Sequence, residues 1–335
     1  MKMIQYPWLN TIYNQILFSY DIKKGHHALL LYSTQNNGED ILINSIARWL
    51  ICKNSFKIKY CNSCSDCYLM NIGQHPDYYQ LDLKYQAQSI GVDSIRDCID
   101  SIYRFTQYSK SKIVFIQYIE YLTDEAVNML LKILEEPPDN TYFFFRSRKI
   151  INIPLTLLSR CVKWVVTPPV ESLGIEWLIN NQKLDNILFL TTALRLNYGS
   201  PIEAKVMLQS DQWKARVELC NHINDVIKNG NFLQLLPILK NKEHRYIFIS
   251  WLITLLVDAL KYRQGVKEKF FINLDQLQLI LNISVYWKVL SLHNQLSQWI
   301  ILFYYFQRFD NINHELLLTC RLLNWQQGTI ESCIQ

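Results

Sequence analysis

Four of the nine cysteines crowd into one short segment, at spacings that could bind a metal ion. Cys52 follows an apolar helical pattern, and Cys61, Cys64 and Cys67 form a C-x2-C-x2-C run. Four sulfur ligands can enclose a tetrahedral zinc ion, and such a closed site is structural, because catalytic zinc needs an open position. The sequence predicts a structural Zn²⁺ site in a module at residues 52–67. Two alternatives remain: a reduced cluster without metal, and an iron–sulfur site, which also uses this spacing.

A second segment lies where a nucleotide-binding protein carries its phosphate-binding loop. Residues 31–41, LYSTQNNGEDI, follow an apolar run, HHALLL, and precede a helical pattern. A working loop needs glycine-lined amides, a lysine for the phosphates and a hydroxyl for Mg²⁺. Here Gly38 is followed by Glu39 and Asp40, which suit the positive end of a helix but would repel a triphosphate. We expect a degenerate phosphate loop that binds no ATP, in effect an acidic strand-to-helix turn.

The strand pattern KIVFIQY should end in two acids if the chain hydrolysed ATP, one to hold Mg²⁺ and one to activate water. It ends in Tyr118 and Ile119 instead, and Glu120 falls one residue too late in the register. We expect Glu120 to be a lone surface carboxylate, and both metal binding and water activation to be absent.

An arginine stands at the end of a short helical pattern, LTLLSR, where Ser159, Arg160 and Cys161 follow one another. A guanidinium can meet a γ-phosphate with its planar fork of donors and stabilise charge in the transition state. Taken from these residues alone, Arg160 is more often a surface arginine near a helix C-terminus.

The elements that must position these residues alternate between residues 25 and 166, where apolar runs are separated by helical patterns. The runs are HHALLL, DYYQLDL, KIVFIQY, TYFFF and VKWVV. Such alternation predicts βαβ units and a parallel sheet. The helix DEAVNMLLKILEE is predicted to begin at the cap Thr123, with Asp124 and Glu125 in its first turn, and to end at the EPP run at 136–138.

After the Pro-Pro pair at 168–169 the pattern becomes helical, with helices predicted at 171–181, 184–197 and 201–209. A polar break at 210–213 precedes a third region, also helical, so we predict domains at 1–166, 167–209 and 210–335. The third region is rich in residues such as Trp299, Phe303 and Tyr304. We expect it to be the principal oligomerisation surface, with core packing as the alternative.

Composition sets the broad class of the protein. Its 335 residues, 50% of them apolar, can form two or three domains with sizeable cores. The net charge of +5 is mild and spread along the chain, which does not indicate nucleic-acid binding by electrostatics alone. The first residues show no apolar h-region and no run of about 18 apolar residues follows, so we expect neither export nor membrane spanning; nine cysteines is an odd number for a disulfide framework. We expect a cytoplasmic protein with no membrane partner.

The segments GHHALL, CNSCSDC, HPDYY, LTDEAVNMLLKILEEPP and LLSRC, in that order, closely resemble the delta-prime subunits of the bacterial DNA polymerase III clamp loader, from Tyr6 to about Trp213. The resemblance implies an AAA+ core with a RecA-like parallel sheet and inserted zinc module, a small helical lid and an all-α collar that joins five subunits in a ring. It implies a subunit without ATP hydrolysis that helps load the sliding clamp onto primed DNA, with the ATPase subunits and delta as partners. It also implies that Arg160, with Ser159 and Cys161, is an arginine finger for a neighbour's ATP site.

Two nucleotide contacts of ATP-binding relatives are missing from this chain. The resemblance implies a second arginine in the lid shortly after a Gly-Ser pair, but here the Gly-Ser-Pro run at 199–201 is followed by Ile202. The strand TYFFF leads to Arg146 and Ser147, and we assign Ser147 no sensor role. We expect the lid and the strand to keep the fold without the nucleotide contacts.

Two other function classes compete with this one. An AAA+ ATPase or helicase-like motor is opposed by Glu39, Asp40, Tyr118 and Ile119. A zinc-dependent nucleic-acid-binding protein would need a basic and aromatic face around the cysteines, of which the sequence offers a modest version. Its members are Lys53, Lys57, Lys59, Tyr60 and Tyr68.

Overall fold

The chain divides into two compact units, Met1–Pro168 (unit one) and Pro169–Gln335 (unit two). The computed structural model describes residues 5–82, 89–103, 109–182, 186–241, 244–309 and 312–333, with side chains as far as residue 326. Across these ranges no helix combines the length and the apolar character needed to cross a bilayer.

Unit one is built on a sheet of five parallel strands in the order β2-β3-β4-β1-β5. The strands are β1 Ala28–Tyr32, β2 Tyr78–Leu81, β3 Lys112–Ile116, β4 Thr141–Ser147 and β5 Val162–Val165. Along β1, the register with β4 runs from Ala28 opposite Phe143 to Tyr32 opposite Ser147. The predicted parallel α/β sheet is confirmed. Residue 83, which the prediction included in β2, lies outside the described residues.

Helices cover both faces of this sheet because successive side chains of each strand point to opposite faces. They are α1 Asn10–Asp21, α2 Glu39–Ile51, α3 Ser65–Asn71, α4 Val92–Tyr103, α5 Asp124–Glu135 and α6 Leu155–Leu158. In β1, Leu29 and Leu31 belong to the apolar cluster with α1 and α2, whereas Leu30 belongs to the cluster with α4 and α5. The last two residues predicted for α4, 104 and 105, lie outside the described ranges.

Helix α5 has the start and the end that its sequence indicated. Thr123 Oγ1 accepts a hydrogen bond from Ala126 N at 3.3 Å, and the helix ends at Glu135, before the EPP run. Its buried stripe, which includes Leu130 and Ile133, packs in the same cluster as β3 and β4. The C-terminal end of α5 is therefore fixed relative to the sheet.

Unit two is helical in its described part. Its helices are α7 Glu171–Asn181, α8 Ile187–Leu196, α9 Pro201–Gln209, α10 Asp211–Asn229, α11 Leu236–Leu239, α12 Arg245–Arg263, α13 Leu277–Tyr286, α14 Val289–Arg308 and α15 His314–Cys333. Helices α7 and α9 have their predicted bounds. Helix α8 is capped by Asn186, and residue 184, where it was predicted to begin, lies outside the described residues.

The polar break predicted at residues 210–213 is wrong. Ser210 alone separates α9 from α10, and its hydroxyl accepts from Gln212 N at 3.3 Å as the cap of α10. Asp211 and Lys214 then form an ion pair across the exposed first turn of the helix. The polar sequence reflects a solvated helix face, which composition does not distinguish from a loop.

Hydrogen bonds within unit two join the segment predicted as the lid to the segment predicted as the collar. Arg195 on α8 donates to the carbonyl oxygens of Lys269, at 2.8 Å, and Phe271. The amide of Asp275 donates to Thr192 Oγ1 at 3.3 Å. The boundary between lid and collar at residue 210 stays a prediction.

Helix α14 shows which of its aromatic residues can meet a partner. Trp299 is fully buried and packs edge-on against Trp325 with ring centroids 5.4 Å apart, so Trp299 as part of a docking surface is wrong. Phe303 is half-buried against the same core, whereas Tyr304 is 52% exposed. The helical period turns residues 299, 302 and 306 inward and residues 300, 301, 304 and 305 outward.

Candidate functional site

The segment predicted as a degenerate phosphate loop lies between the carboxyl end of β1 and the start of α2, the edge where open parallel sheets bind their ligands. Gly38 is the N-cap of α2 with φ of 101°, a left-handed conformation that glycine adopts without strain. Glu39 and Asp40 occupy the first helical turn, as predicted.

Amide groups that a phosphate would need are bonded to the chain's own side chains. Asn37 N donates to Glu39 Oε1 at 3.0 Å, and Gly38 N donates to Asn36 Oδ1 at 3.3 Å. The side-chain amide of Asn37 donates two hydrogen bonds, one to Ser33 Oγ at 2.7 Å and one to the carbonyl oxygen of Val166 at 3.2 Å. A carboxylate of this chain thus accepts from a loop amide that could otherwise bind an anion.

Arg146, near the end of β4, balances the charge of the two acids. Its Nη1 lies 2.6 Å from Asp40 Oδ2, and its Nε lies 3.7 Å from Glu39 Oε2. Arg146 is 2% exposed and Glu39 is 1% exposed, so these two groups are desolvated, whereas the Asp40 side chain still reaches solvent. The ring of Tyr118 lies 5.7 Å from the guanidinium carbon. The position where an ATPase would carry its Mg²⁺-binding acid therefore packs against an arginine.

Burial is the main cause that raises the pKa of Glu39 and of Asp40 above their ordinary values, and Arg146 opposes it in both cases. For Asp40, Arg146 is the first of the groups that oppose this shift, whereas for Glu39 the backbone amides of Glu39 and Asn37 oppose it more strongly than Arg146. Sequence reasoning assigned Arg146 no role. The signal that could have found it is a charge inside an apolar strand, TYFFFRS, directed to the same sheet edge as the loop.

Glu120 is not the lone surface carboxylate that was expected. It is half-buried, and its Oε1 accepts from the backbone amide of Arg148 at 3.0 Å. Ser147 is buried, and its hydroxyl accepts from the amide of Lys149 at 3.1 Å. Both side chains hold the turn that follows β4.

The four cysteines predicted as metal ligands come together, with all four sulfurs within 4.8 Å of one another. The sulfur of Cys52 lies 3.5 Å from that of Cys61 and 4.0 Å from that of Cys64, and Cys61 lies 3.9 Å from Cys67. Four sulfurs at about 2.3 Å from a tetrahedral zinc ion would be about 3.8 Å apart. The donor set therefore fits a tetrahedral ion such as Zn²⁺.

Backbone amides donate to three of the four sulfurs in this cluster. Cys61 N donates to Cys52 Sγ, Cys64 N to Cys61 Sγ and Cys67 N to Cys64 Sγ, at 3.3–3.4 Å. Hydrogen bonds from Ser63 lower the pKa of Cys61 to about 6, whereas burial raises the pKa of Cys52 and Cys67. The cluster links the end of α2 to the start of α3.

The Ser159-Arg160-Cys161 run lies just after α6. Ser159 Oγ and Arg160 Nη1 both donate to the carbonyl oxygen of Thr156, each at 2.9 Å, and Arg160 Nη2 pairs with the carboxylate of Glu135. One third of the Arg160 side chain is exposed. Cys161 packs against the core, and burial raises the pKa of its thiol to about 12, so it is a packing residue rather than a nucleophile.

Comparison with known proteins assigns the chain to a family. A family model for the DNA polymerase III delta subunit matches residues 9–169, and one for the C-terminal part of the delta subunit matches residues 210–327. The solved structure of a DNA polymerase III gamma subunit-related protein from Thermotoga maritima has a similar fold, with a TM-score of 0.50 at 18% identity over 94% of this chain and 99% of that one.

Curated relatives are closer in sequence. The chain is 38% identical over 328 residues to DNA polymerase III subunit delta' of Yersinia pestis, covering 96% of this chain and 95% of the relative. It is 36% identical over 292 residues to subunit delta' of Escherichia coli K12, covering 87% and 84%. The chain therefore belongs to the family of DNA polymerase III delta' subunits.

Proposed function

We propose that this chain is a clamp-loader subunit that binds no ATP, helps to load the sliding clamp onto primed DNA, and supplies Arg160 to a neighbouring subunit's ATP site. The observation that carries the proposal is the loop at the start of α2. A triphosphate would meet Glu39 and Asp40 there, and would have to displace Glu39 from the Asn37 amide and Arg146 from both acids. The same contacts disfavour an active AAA+ ATPase.

Arg160 suits a role in trans. Its guanidinium is partly exposed and lies at a turn, with donors left over after its two contacts, because the fork has five N–H groups. A surface guanidinium of this kind can contact a phosphate held by another subunit. Arg146, by contrast, is buried and committed to its own chain.

The partners we propose are the ATPase subunits and delta in a five-subunit ring, with the clamp and primed DNA contacted through the complex. The outward face of α14 supports a docking role for unit two, since four of its apolar residues are between 47% and 52% exposed. They are Ile300, Ile301, Tyr304 and Tyr305. The proposed metal is a structural Zn²⁺ held by Cys52, Cys61, Cys64 and Cys67.

The test is clamp loading by a complex rebuilt with an Arg160→Ala chain. An arginine finger contributes roughly 10³- to 10⁵-fold in rate at its site, so the one site that Arg160 faces should be nearly silent. Lysine should not rescue it, because lysine keeps the charge but lacks the planar fork. Sizing should show intact stoichiometry, since an exposed ion pair contributes only about 0–1 kcal/mol.

Arg96→Ala is the matched control, because Arg96 is an exposed arginine in an ion pair with Asp93 on the same unit. Its complex should load clamps at the wild-type rate. Wild-type loading by the Arg160→Ala complex would refute the finger, and loss of assembly would make Arg160 structural.

A further inference from the structure

Arg160 is held by a residue from a different element, the Glu135 carboxylate at the end of α5. We propose that Glu135 is a positioning residue for Arg160, which orients the guanidinium toward the neighbouring subunit's ATP. This inference rests on the proposed role of Arg160 in trans, and it adds a second residue of this chain to that ATP site.

The first support is the way in which the guanidinium is fixed on one side. Nη1 donates to the carbonyl oxygen of Thr156, and Nη2 pairs with Glu135. An arginine side chain has many rotamers, and two acceptors from two elements restrict them to few. The Thr156 carbonyl is set by the turn itself, since Ser159 Oγ also donates to it. Glu135 is therefore the contact that fixes the far end of the fork.

The second support is the position of Glu135 on its helix. Glu135 is the last residue of α5, and Glu136 is the C-cap, where the helix dipole disfavours negative charge. A cation beside this carboxylate offsets that unfavourable interaction, and the Arg160 guanidinium is in contact with it. Because α5 is fixed by its Thr123 cap and its buried stripe, the Glu135 backbone is a rigid anchor for the pair.

Such a contact matters for catalysis because phosphoryl transfer depends on charge placed in the correct geometry. An exposed ion pair is weak, so its loss should leave Arg160 present but less often in position. We expect a fall of about two- to fivefold at the affected site, far less than the loss caused by removing the finger. Since a finger acts in the transition state, the fall should be in kcat, with KM for ATP unchanged.

The experiment compares ATP hydrolysis and clamp loading by complexes rebuilt with Glu135→Gln, Glu136→Gln and Arg160→Ala chains. The Arg160→Ala complex defines the rate that remains without the affected site. The Glu135→Gln complex should lose about half to four fifths of the rate that the Arg160→Ala complex loses. A complex that carries both Glu135→Gln and Arg160→Ala should have the same rate as the Arg160→Ala complex. Glu136→Gln removes the adjacent exposed acid, and its complex should be unchanged.

Several results would overturn the inference. A Glu135→Gln complex with the rate of the Glu136→Gln control would show that the ion pair does not position the finger. A higher rate or a lower KM would show that Glu135 competes with ATP for Arg160. If Arg160→Ala itself has no effect, the finger is wrong and the positioning role falls with it; if Arg160→Ala is impaired and Glu135→Gln is not, only the positioning role is wrong.

Discussion

Replacing Arg146 with methionine should destabilise unit one, because it leaves two acids without their counter-charge. Methionine keeps much of the aliphatic volume of arginine, so the change mainly removes the guanidinium and its contacts with Asp40, at 2.6 Å, and Glu39, at 3.7 Å. Removing one partner of a buried ion pair costs about 3–5 kcal/mol. Because the Asp40 side chain is 37% exposed and water can replace part of its interaction, we expect a loss of about 2–4 kcal/mol.

The assay must report on unit one, since the chain has two compact units and a single unfolding curve would mix them. Hydrogen exchange of the amides in β1 and β4 gives the free energy of opening for the sheet that Arg146 joins. Lys149→Met is the matched control, because Lys149 is exposed and lies three residues further on. It should change the free energy by no more than about 0.5 kcal/mol.

A companion variant separates charge from packing. Combining Arg146→Met with Glu39→Gln and Asp40→Asn removes all three charges, and should restore stability to within about 1 kcal/mol of wild type. If Arg146→Met behaves like Lys149→Met, the ion pairs do not hold this edge of the sheet. If the triple variant is no more stable than Arg146→Met, the guanidinium contributes by packing on Tyr118 rather than by charge.

The loss of folding free energy caused by Arg146→Met should also depend on pH. Burial already raises the pKa of Glu39 and of Asp40, and removing the arginine removes an opposing cause, so both should rise further. An acid whose folded pKa exceeds its unfolded value binds more protons in the folded state, which adds stability below the unfolded pKa and loses it as pH rises through the folded pKa. The penalty should therefore shrink as pH falls from 8 toward 5, and a constant or growing penalty would contradict this account.

Two further predictions concern the metal and the nucleotide. Elemental analysis should find about one zinc ion per chain. A Cys64→Ser variant should lose the zinc, whereas a Cys320→Ser control should keep it. The segment around the cluster should lose its order in Cys64→Ser, because structural zinc contributes on the order of 10 kcal/mol to folding. Unchanged metal content in Cys64→Ser would contradict the assignment of Cys64 as a zinc ligand. Calorimetry of the purified chain with ATP and Mg²⁺ should show no saturable binding near micromolar concentration. A clear binding isotherm there would contradict the prediction that the loop before α2 binds no ATP.

The sequence was sufficient where local chemistry decides the structure. Thr123 could be identified as a helix cap because a hydroxyl before an acidic first turn is a local signal, and α5 begins there. The four cysteines could be grouped because three of them follow a C-x2-C-x2-C spacing soon after the fourth, and their sulfurs do converge. The parallel sheet followed from alternating patterns, each of which lies within one element.

The sequence was insufficient where the partner of a residue lies far along the chain. Arg146 and Asp40 are 106 residues apart, and Arg160 and Glu135 are 25 apart, so no spacing rule connects them. An aromatic residue on a helix can face the core or the solvent, and both remained open for Trp299; its packing against Trp325 of α15 shows that it faces the core. The polar start of α10 was read as a break for a similar reason.

The loop before α2, whose amides bond to the chain's own side chains, bears on how the proposed complex responds to ATP. A ligand can shift a conformational equilibrium only by the difference in its affinity for the two states, and a chain with no affinity for ATP gains no such difference. At the carboxyl edge of the sheet, Glu39, Asp40 and Arg146 supply from within the chain the charges that a nucleotide and its ligands supply elsewhere. ATP should then cause no change in unit one by binding at this loop. Nucleotide-driven motion would arise in the neighbouring subunits. It would change the distance between the neighbour's ATP and the Arg160 guanidinium, which stays fixed on unit one.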